Sequence, residues 1–374
     1  MSLRDRLAAA TGPKNSSETF KRFGVLENPY PASSQTSDNP HYRQSIDEEI
    51  DMRVESFVRD KRSQVVVIVG TQGTGKTNVL NFYEHELKGA LESVDGYYVV
   101  RYLADPEASF DSTLRRLFQE LGTDHLSRLG RALAAKGDEV IELARSHEVR
   151  IALRRLARAA GAEEVTAALN EWLLGLRLLK SHREILGVNF RLDTVESKTA
   201  ALRDIIQVSS ACDLLNGIFL LLDELEKQDG VLSATAVVRY LSSMRAIIDA
   251  LPNHLFMMIA VTPDALRRYS LALPAFRSRL ENRVELQPLM NVREALELAG
   301  FYLKEARKRA EQESGVSHDE AAYQPLVSRE EIAAAFDSLL ERARRRSDDG
   351  VRQREFLHHM HGLAEDAIQA ATLA

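Results

Sequence analysis

Gly70-Thr71-Gln72-Gly73-Thr74-Gly75-Lys76-Thr77 fits the pattern G-x-x-x-x-G-K-[ST], and its two flanks give that pattern its meaning. Before it, Val65-Val66-Val67-Ile68-Val69 is an unbroken β-branched run, as expected of a strand buried on both faces in a parallel sheet. After it, Asn78-Val79-Leu80-Asn81-Phe82-Tyr83 opens an apolar pattern suited to a helix. Strand, glycine loop and helix start aim successive backbone N–H groups at one point, where they and the positive helix end suit phosphate oxygens. Gly70, Thr71, Gln72, Gly73, Thr74, Gly75, Lys76, Thr77 and Asn78 are therefore the candidate phosphate cradle. Lys76 is expected to reach the β/γ-phosphates and Thr77 to place its hydroxyl on a magnesium ion, which implies ATP and Mg²⁺ as ligands.

Further strand signals lie at Tyr97–Leu103, Ile218–Leu222, Leu255–Val261 and Val284–Leu286, separated by helical stretches. Five strands alternating with helices specify an α/β three-layer sandwich with a parallel sheet. The pattern from Phe110 to about Leu186 is helical, and its apolar stripes, Leu143 and Leu176 among them, are assigned to packing. Residues before Arg43 carry breakers and polar tracts (Thr11-Gly12-Pro13, Asn28-Pro29-Tyr30-Pro31, Ser33 to Ser37), which suggests a loosely ordered segment. Ser45 with Glu48, and Ser328 with Glu331, have capping-box spacing at two helix starts. The tail is helical apart from a polar linker over 312–323. The expected division is a segment 1–44, a nucleotide-binding domain 45–289 with a helical insertion over 122–193, and a helical lid over 290–374.

The strand Ile218–Leu222 runs into Asp223-Glu224. Asp223 is the candidate magnesium ligand, and Glu224 the candidate base that takes a proton from an attacking water. Thr262, at the end of another central strand, either orients that water and senses the γ-phosphate or simply forms a Thr-Pro turn. Pro274 to Arg283 holds arginines that could act on a neighbouring subunit's γ-phosphate or pair with Glu281 and Glu285. Near the C-terminus Arg342, Arg344, Arg345, Arg346, Arg352 and Arg354 are dense, with solvent as the default for most. His358-His359-Met360-His361 receives no metal role, since consecutive histidines on a helix diverge.

Composition bounds the rest. The chain has 374 residues, 44% hydrophobic and 28% charged, the values of an ordinary globular protein. A net charge of −6 argues against a globally basic nucleic-acid coat but leaves local patches open. The single cysteine, Cys212, excludes an internal disulfide framework and a cysteine-rich zinc site. No run is long enough to span a membrane and no secretory signal is evident, so a cytoplasmic location is expected.

With these residues in place, the chain resembles the AAA+ ATPases. Gly75-Lys76-Thr77 stands as Walker A, Ile218 to Glu224 as Walker B and Thr262 as sensor 1. Ser278-Arg279-Leu280 is similar to the arginine-finger box of clamp loaders, which makes Arg279 the first candidate and Arg277 the second. Gly350 followed by Arg354-Glu355-Phe356-Leu357 resembles the lid motif of sensor 2, hence Arg354, with Arg352 in reserve. The resemblance implies the sheet order 5-1-4-3-2. Phe23-Gly24 and Asn28-Pro29-Tyr30-Pro31 look like the N-terminal segment of the TnsC, ExeA and origin-recognition ATPases, where it packs near the adenine. The helices over 122–193 are longer than that class needs, and no winged helix is expected after the lid.

The resemblance implies an ATPase that works as a nucleotide-dependent homo-oligomeric switch, with ATP at subunit interfaces, controlling a nucleic-acid-processing partner. The partner is expected to be an effector, nuclease or transposase, with DNA possible and no membrane. The alternative is a signalling or anti-phage defence ATPase that senses a foreign component through the inserted helices and activates a separate effector. A small-molecule kinase is disfavoured, because a strand ending in Asp223-Glu224 suits water activation better.

Overall fold

The computed structural model describes residues 20–32, 39–103, 110–227, 231–314, 323 and 325–373. The breakers at 11–13, the polar tract at 33–37 and most of the linker at 312–323 lie outside them. The chain divides into two compact units: Met1–Arg43, Thr71–Val79 and Leu286–Ala374 form one, Gln44–Gly70 and Leu80–Glu285 the other.

The larger unit is built on β1 (Gln64–Val69), β2 (Tyr97–Leu103), β3 (Gly217–Asp223), β4 (Leu255–Val261) and β5 (Arg283–Glu285). All pair in parallel, in the order β2-β3-β4-β1-β5, which counted from the other edge is the expected 5-1-4-3-2. Strands this apolar must be covered on both sides, and alternation along the chain assigns the covers. Val65, Val67, Val69, Leu220, Leu222, Met257 and Ile259 belong to one cluster. The intervening Phe219 and Phe256 meet Phe57 of α1 (Ser45–Asp60), ring centroids 5.1 and 5.4 Å apart. The helix α1 begins one residue earlier than the Ser45 and Glu48 spacing suggests: Gln44 N donates to Asp47 Oδ2 at 2.6 Å, so Asp47 supplies the cap.

After α2 (Lys76–Leu91) and β2 come the inserted helices α3 (Asp111–Lys136), α4 (Asp138–Ile141), α5 (His147–Arg158), α6 (Glu163–Leu173) and α7 (Lys180–Leu186), then α8 (Val195–Ala211). They do not form a core of their own. Phe118, Leu126, Leu153, Trp172 and Leu186 join the same apolar cluster as the odd-numbered residues of β1. Two glycines let α3 meet the α5–α6 turn: a Cβ on Gly130 would lie 2.5 Å from Gly161 Cα, and Gly161 itself sits at φ +72°. Buried between β2, α3 and α8, His125 bonds Tyr98 Oη at 2.7 Å and Ser209 Oγ at 2.9 Å. Desolvation lowers its pKa from 6.5 to about 4. Leu143 and Leu176, read from their stripes as core residues, are 40% and 43% exposed. The unit is completed by α9 (Ala234–Ala250), α10 (Pro263–Ala272) and α11 (Pro274–Arg277).

The smaller unit holds the lid helices α12 (Val292–Ser314), α13 (Arg329–Arg345) and α14 (Gln353–Leu373). Ser328 and Glu331 close the expected capping box on α13. Phe20, Phe23, Val25 and Tyr30 are buried in the same apolar cluster as Phe336, Phe356 and Met360. Those N-terminal residues are thus packed, although Pro29 and Pro31 suggest a loose segment. The prolines set turns, and four large apolar side chains supply the burial that orders them, at about 1.5–3 kcal/mol each.

Candidate functional site

In the smaller unit the loop 71–78 adopts the conformation its glycines permit. Gly73 and Gly75 sit at φ +86° and +102°, where a side chain would strain the backbone. Thr74 is fully buried and its Oγ1 donates to Thr71 O at 2.8 Å. Lys76 is 8% exposed, and its Nζ donates to the same carbonyl at 3.2 Å. Helix α2 starts at Lys76, so the first-turn N–H groups lack intrahelical acceptors, as at any helix start. Thr71 and Gln72 are exposed, and Thr77 is half-buried. Asn78 is fixed from the N-terminal side: its Oδ1 accepts from His41 Nδ1 at 2.9 Å, and its Nδ2 donates to Asn39 O at 3.1 Å.

The lid helix α14 begins on this loop. Arg354 N donates to Gly73 O at 3.0 Å. A Cβ on Gly73 would lie 3.4 Å from Arg354 Cβ, and one on Gly75 would lie 3.0 Å from Gln353 Oε1. The Arg354 side chain is exposed and has no ion pair among the described residues, whereas Arg352 Nη2 donates to Asp348 Oδ1 at 3.0 Å. The loop and both sensor-2 candidates are therefore brought together.

In the larger unit the C-terminal ends of β1, β4 and β3 open on one sheet edge. Val69 pairs with Val261, and Leu222 with Ile259, so Gly70, Asp223, Glu224 and Thr262 all lie at that edge. Gly70 N donates to Val261 O at 3.2 Å. Asp223 is 2% exposed. Its Oδ2 accepts from Arg101 Nη2 at 2.7 Å and its Oδ1 from Glu224 N at 2.9 Å. Arg101 lies on the neighbouring β2 and also approaches Asn81 Oδ1 (3.4 Å) and Glu84 Oε2 (3.8 Å). Glu224 has φ +54°, and its carboxylate pairs with Lys227. Thr262 caps α10, its Oγ1 accepting from Ala265 N at 3.4 Å.

Arg101 is the residue that the sequence did not single out, and its signal was a lone charge inside Tyr97–Leu103. The two finger candidates differ in surroundings. Arg279 Nε donates to Asp249 Oδ1 at 2.8 Å, while Arg277 is exposed and forms no ion pair among the described residues. Among the described residues no group of His, Cys, Asp or Glu has metal-site geometry, and no helix is long and apolar enough to cross a membrane.

The cradle suits a triphosphate, because its backbone turns at Gly73 and Gly75 and a buried lysine rests on the loop's own carbonyl. A threonine hydroxyl and an aspartate carboxylate are hard oxygen donors of the kind that magnesium takes.

Two solved structures of the Aeropyrum pernix ORC2 protein are similar to this chain. The ADPNP-ADP complex has 14% identity and a TM-score of 0.43, covering 90% of this chain and 72% of that one. The ADP form has 12% identity and a TM-score of 0.41, covering 91% and 73%. No curated protein sequence matches. The family model described as BREX system ATP-binding protein BrxC/D matches residues 116–367, more than half of the chain and beginning after the glycine loop. With the phosphate loop following β1, the AAA+ sheet order and a helical lid, the chain is an AAA+ P-loop protein that belongs to the BrxC/D family of BREX system ATP-binding proteins.

Proposed function

We propose that this protein hydrolyses Mg-ATP and uses the cycle as an oligomeric switch within an antiviral defence system. The observation that carries the proposal is the shared sheet edge: Gly70, from which the cradle continues, with Asp223, Glu224 and Thr262. In this proposal Lys76 and the N–H groups of loop 70–78 bind and orient the triphosphate. Thr77 would offer its hydroxyl, and Asp223 its carboxylate, to magnesium, which would neutralise charge on the phosphates. Glu224 takes the proton of the attacking water, and Thr262 orients that water. Glu224 has first to leave Lys227, its intrachain partner. Arg354 or Arg352 contacts the nucleotide from the lid.

Arg277 or Arg279 reaches a neighbouring subunit's nucleotide, which makes turnover depend on assembly. The Asp249 pairing of Arg279 favours Arg277. The partner is a protein that acts on nucleic acid, an effector, nuclease or transposase, with DNA a further candidate. A cytoplasmic location fits such work. Light scattering in ADP and in a non-hydrolysable ATP analogue tests the switch: a larger species with the analogue supports it, and an unchanged monomer in both contradicts it.

A second reading assigns partner sensing to the inserted helices, and the exposed Leu176, Leu179 and Phe190 favour it. Because these helices share the sheet's core, deleting 122–193 would remove part of that core. Phe190→Asp, at a site 72% exposed, is the cleaner test. Loss of the partner with ATP binding retained supports the reading, and retained partner binding contradicts it.

A further inference from the structure

At the opposite end of the sheet from Gly70 and Glu224, the larger unit has a cavity of about 380 Å³ that is open to solvent on one side, within the range of small-molecule sites (about 300–1,000 Å³). It lies where the inserted helices, α8 and the α9–β4 connection meet. Since β4 runs from Leu255 to Val261, the cavity is roughly 20 Å from the nucleotide edge, at ~3.3 Å per strand residue.

The walls divide by chemistry. Leu143, Ile206 and Leu251 form an apolar part, and Arg145, Arg203 and Asn253 a polar one. Among the described residues, no carboxylate lines the cavity. The acid adjacent in sequence, Asp204, is fully buried and consumed: its Oδ1 accepts from Arg203 Nε at 2.9 Å and Nη2 at 2.7 Å, and its Oδ2 accepts from Ser146 N at 2.8 Å. Those bonds fix the Arg203 fork and hold the backbone beside Arg145. Arg145 is exposed and has no ion pair among the described residues.

The loop beneath is held in place. His254 has φ +72°, which few residues other than glycine adopt, and three bonds hold it there. Its N donates to Lys61 O at 2.7 Å and its Nδ1 to Asn216 O at 3.0 Å. Its Nε2 accepts from Ser210 Oγ at 3.1 Å, so the imidazole is used up in fixing the cavity.

We infer that this cavity is a second ligand site, separate from the ATP loop, for a small anion on a flat apolar body, the chemistry of a nucleoside monophosphate. The phosphate lies against Arg145, with Arg203 and Asn253 beside it, and the base lies on Leu143, Ile206 and Leu251. Arginine suits such a phosphate because its planar fork makes paired, charge-assisted bonds.

Calorimetric titration of AMP, GMP, CMP and UMP, with inorganic phosphate as comparison, tests the site. It is performed on Lys76→Ala protein, so that the loop does not contribute. At least one monophosphate is expected to bind one saturable site with a Kd below about 1 mM. Arg145→Glu and Leu143→Asp, both at exposed positions, are each expected to weaken it about tenfold or more, the effect of losing a charge-assisted bond or apolar contact. The proposal is overturned if none of the four saturates, if both variants bind within about twofold of the parent, or if inorganic phosphate binds as tightly as the nucleotides.

Discussion

Arg101 Nη2 donates to Asp223 Oδ2 at 2.7 Å, joining two strands at residues 122 positions apart in the chain. Asp223 is 2% exposed, so its charge is tolerable only while compensated. Arg101→Met leaves that carboxylate buried and alone, and is expected to lower unfolding free energy by about 3–5 kcal/mol. Urea denaturation measures it. The Arg101→Met, Asp223→Asn double variant should lose less than the sum of the single losses, and strict additivity would mean that the pair is not coupled.

His125 makes stability depend on pH. Its folded pKa, about 4, lies below the ordinary 6.5, so on acidification the unfolded chain takes up the proton first. Stability is complete above about pH 6.5 and falls between there and about pH 4, by ~3 kcal/mol in all. Urea midpoints across this window for wild type and His125→Gln check the sign: the variant should lose part of the slope.

Gly161→Ala places a methyl group where φ is +72° and Ser127 O closes the space. The expected cost is about 2 kcal/mol or more, from strain and overpacking together. A thermal midpoint equal to wild type would show that α3 and the α5–α6 turn do not pack as tightly as described.

The finger candidates separate by what each already holds. Arg279→Ala removes a half-exposed pair with Asp249 and is expected to cost about 0.2–1 kcal/mol of stability. Arg277→Ala is expected to leave ATP binding intact and to slow turnover of the assembled protein by ~10³–10⁵. Steady-state ATPase rates across protein concentration distinguish them, and equal effects on rate would remove the preference for Arg277.

Local chemistry made much of this legible. The β-branched run before Gly70, the glycines that need positive φ and the Ser328–Glu331 box each act over a few residues, and each stands where the sequence suggested. The sheet order followed from family resemblance, and the alternation of strands with helices only permits it. What the sequence hid was non-local. Nothing along Tyr97–Leu103 says that Arg101 meets Asp223, because parallel pairing sets that contact. Phe20 and Tyr30 could not be assigned a core while the lid's own apolar faces were unplaced. Leu143 and Leu176 fit a helical stripe yet stay 40% and 43% exposed, since a stripe gives a face and not the partner that covers it.

Single-turnover hydrolysis by Glu224→Gln, beside ATP binding titrations of that variant and of Lys76→Ala, decides whether this is an ATPase of the kind described. Lys76→Ala should lose tight Mg-ATP binding. Glu224→Gln should bind ATP like wild type and hydrolyse it more slowly by ~10²–10⁴, the usual span for removing a general base. Wild-type hydrolysis by the Gln variant, or undiminished ATP binding by the Ala variant, would contradict it.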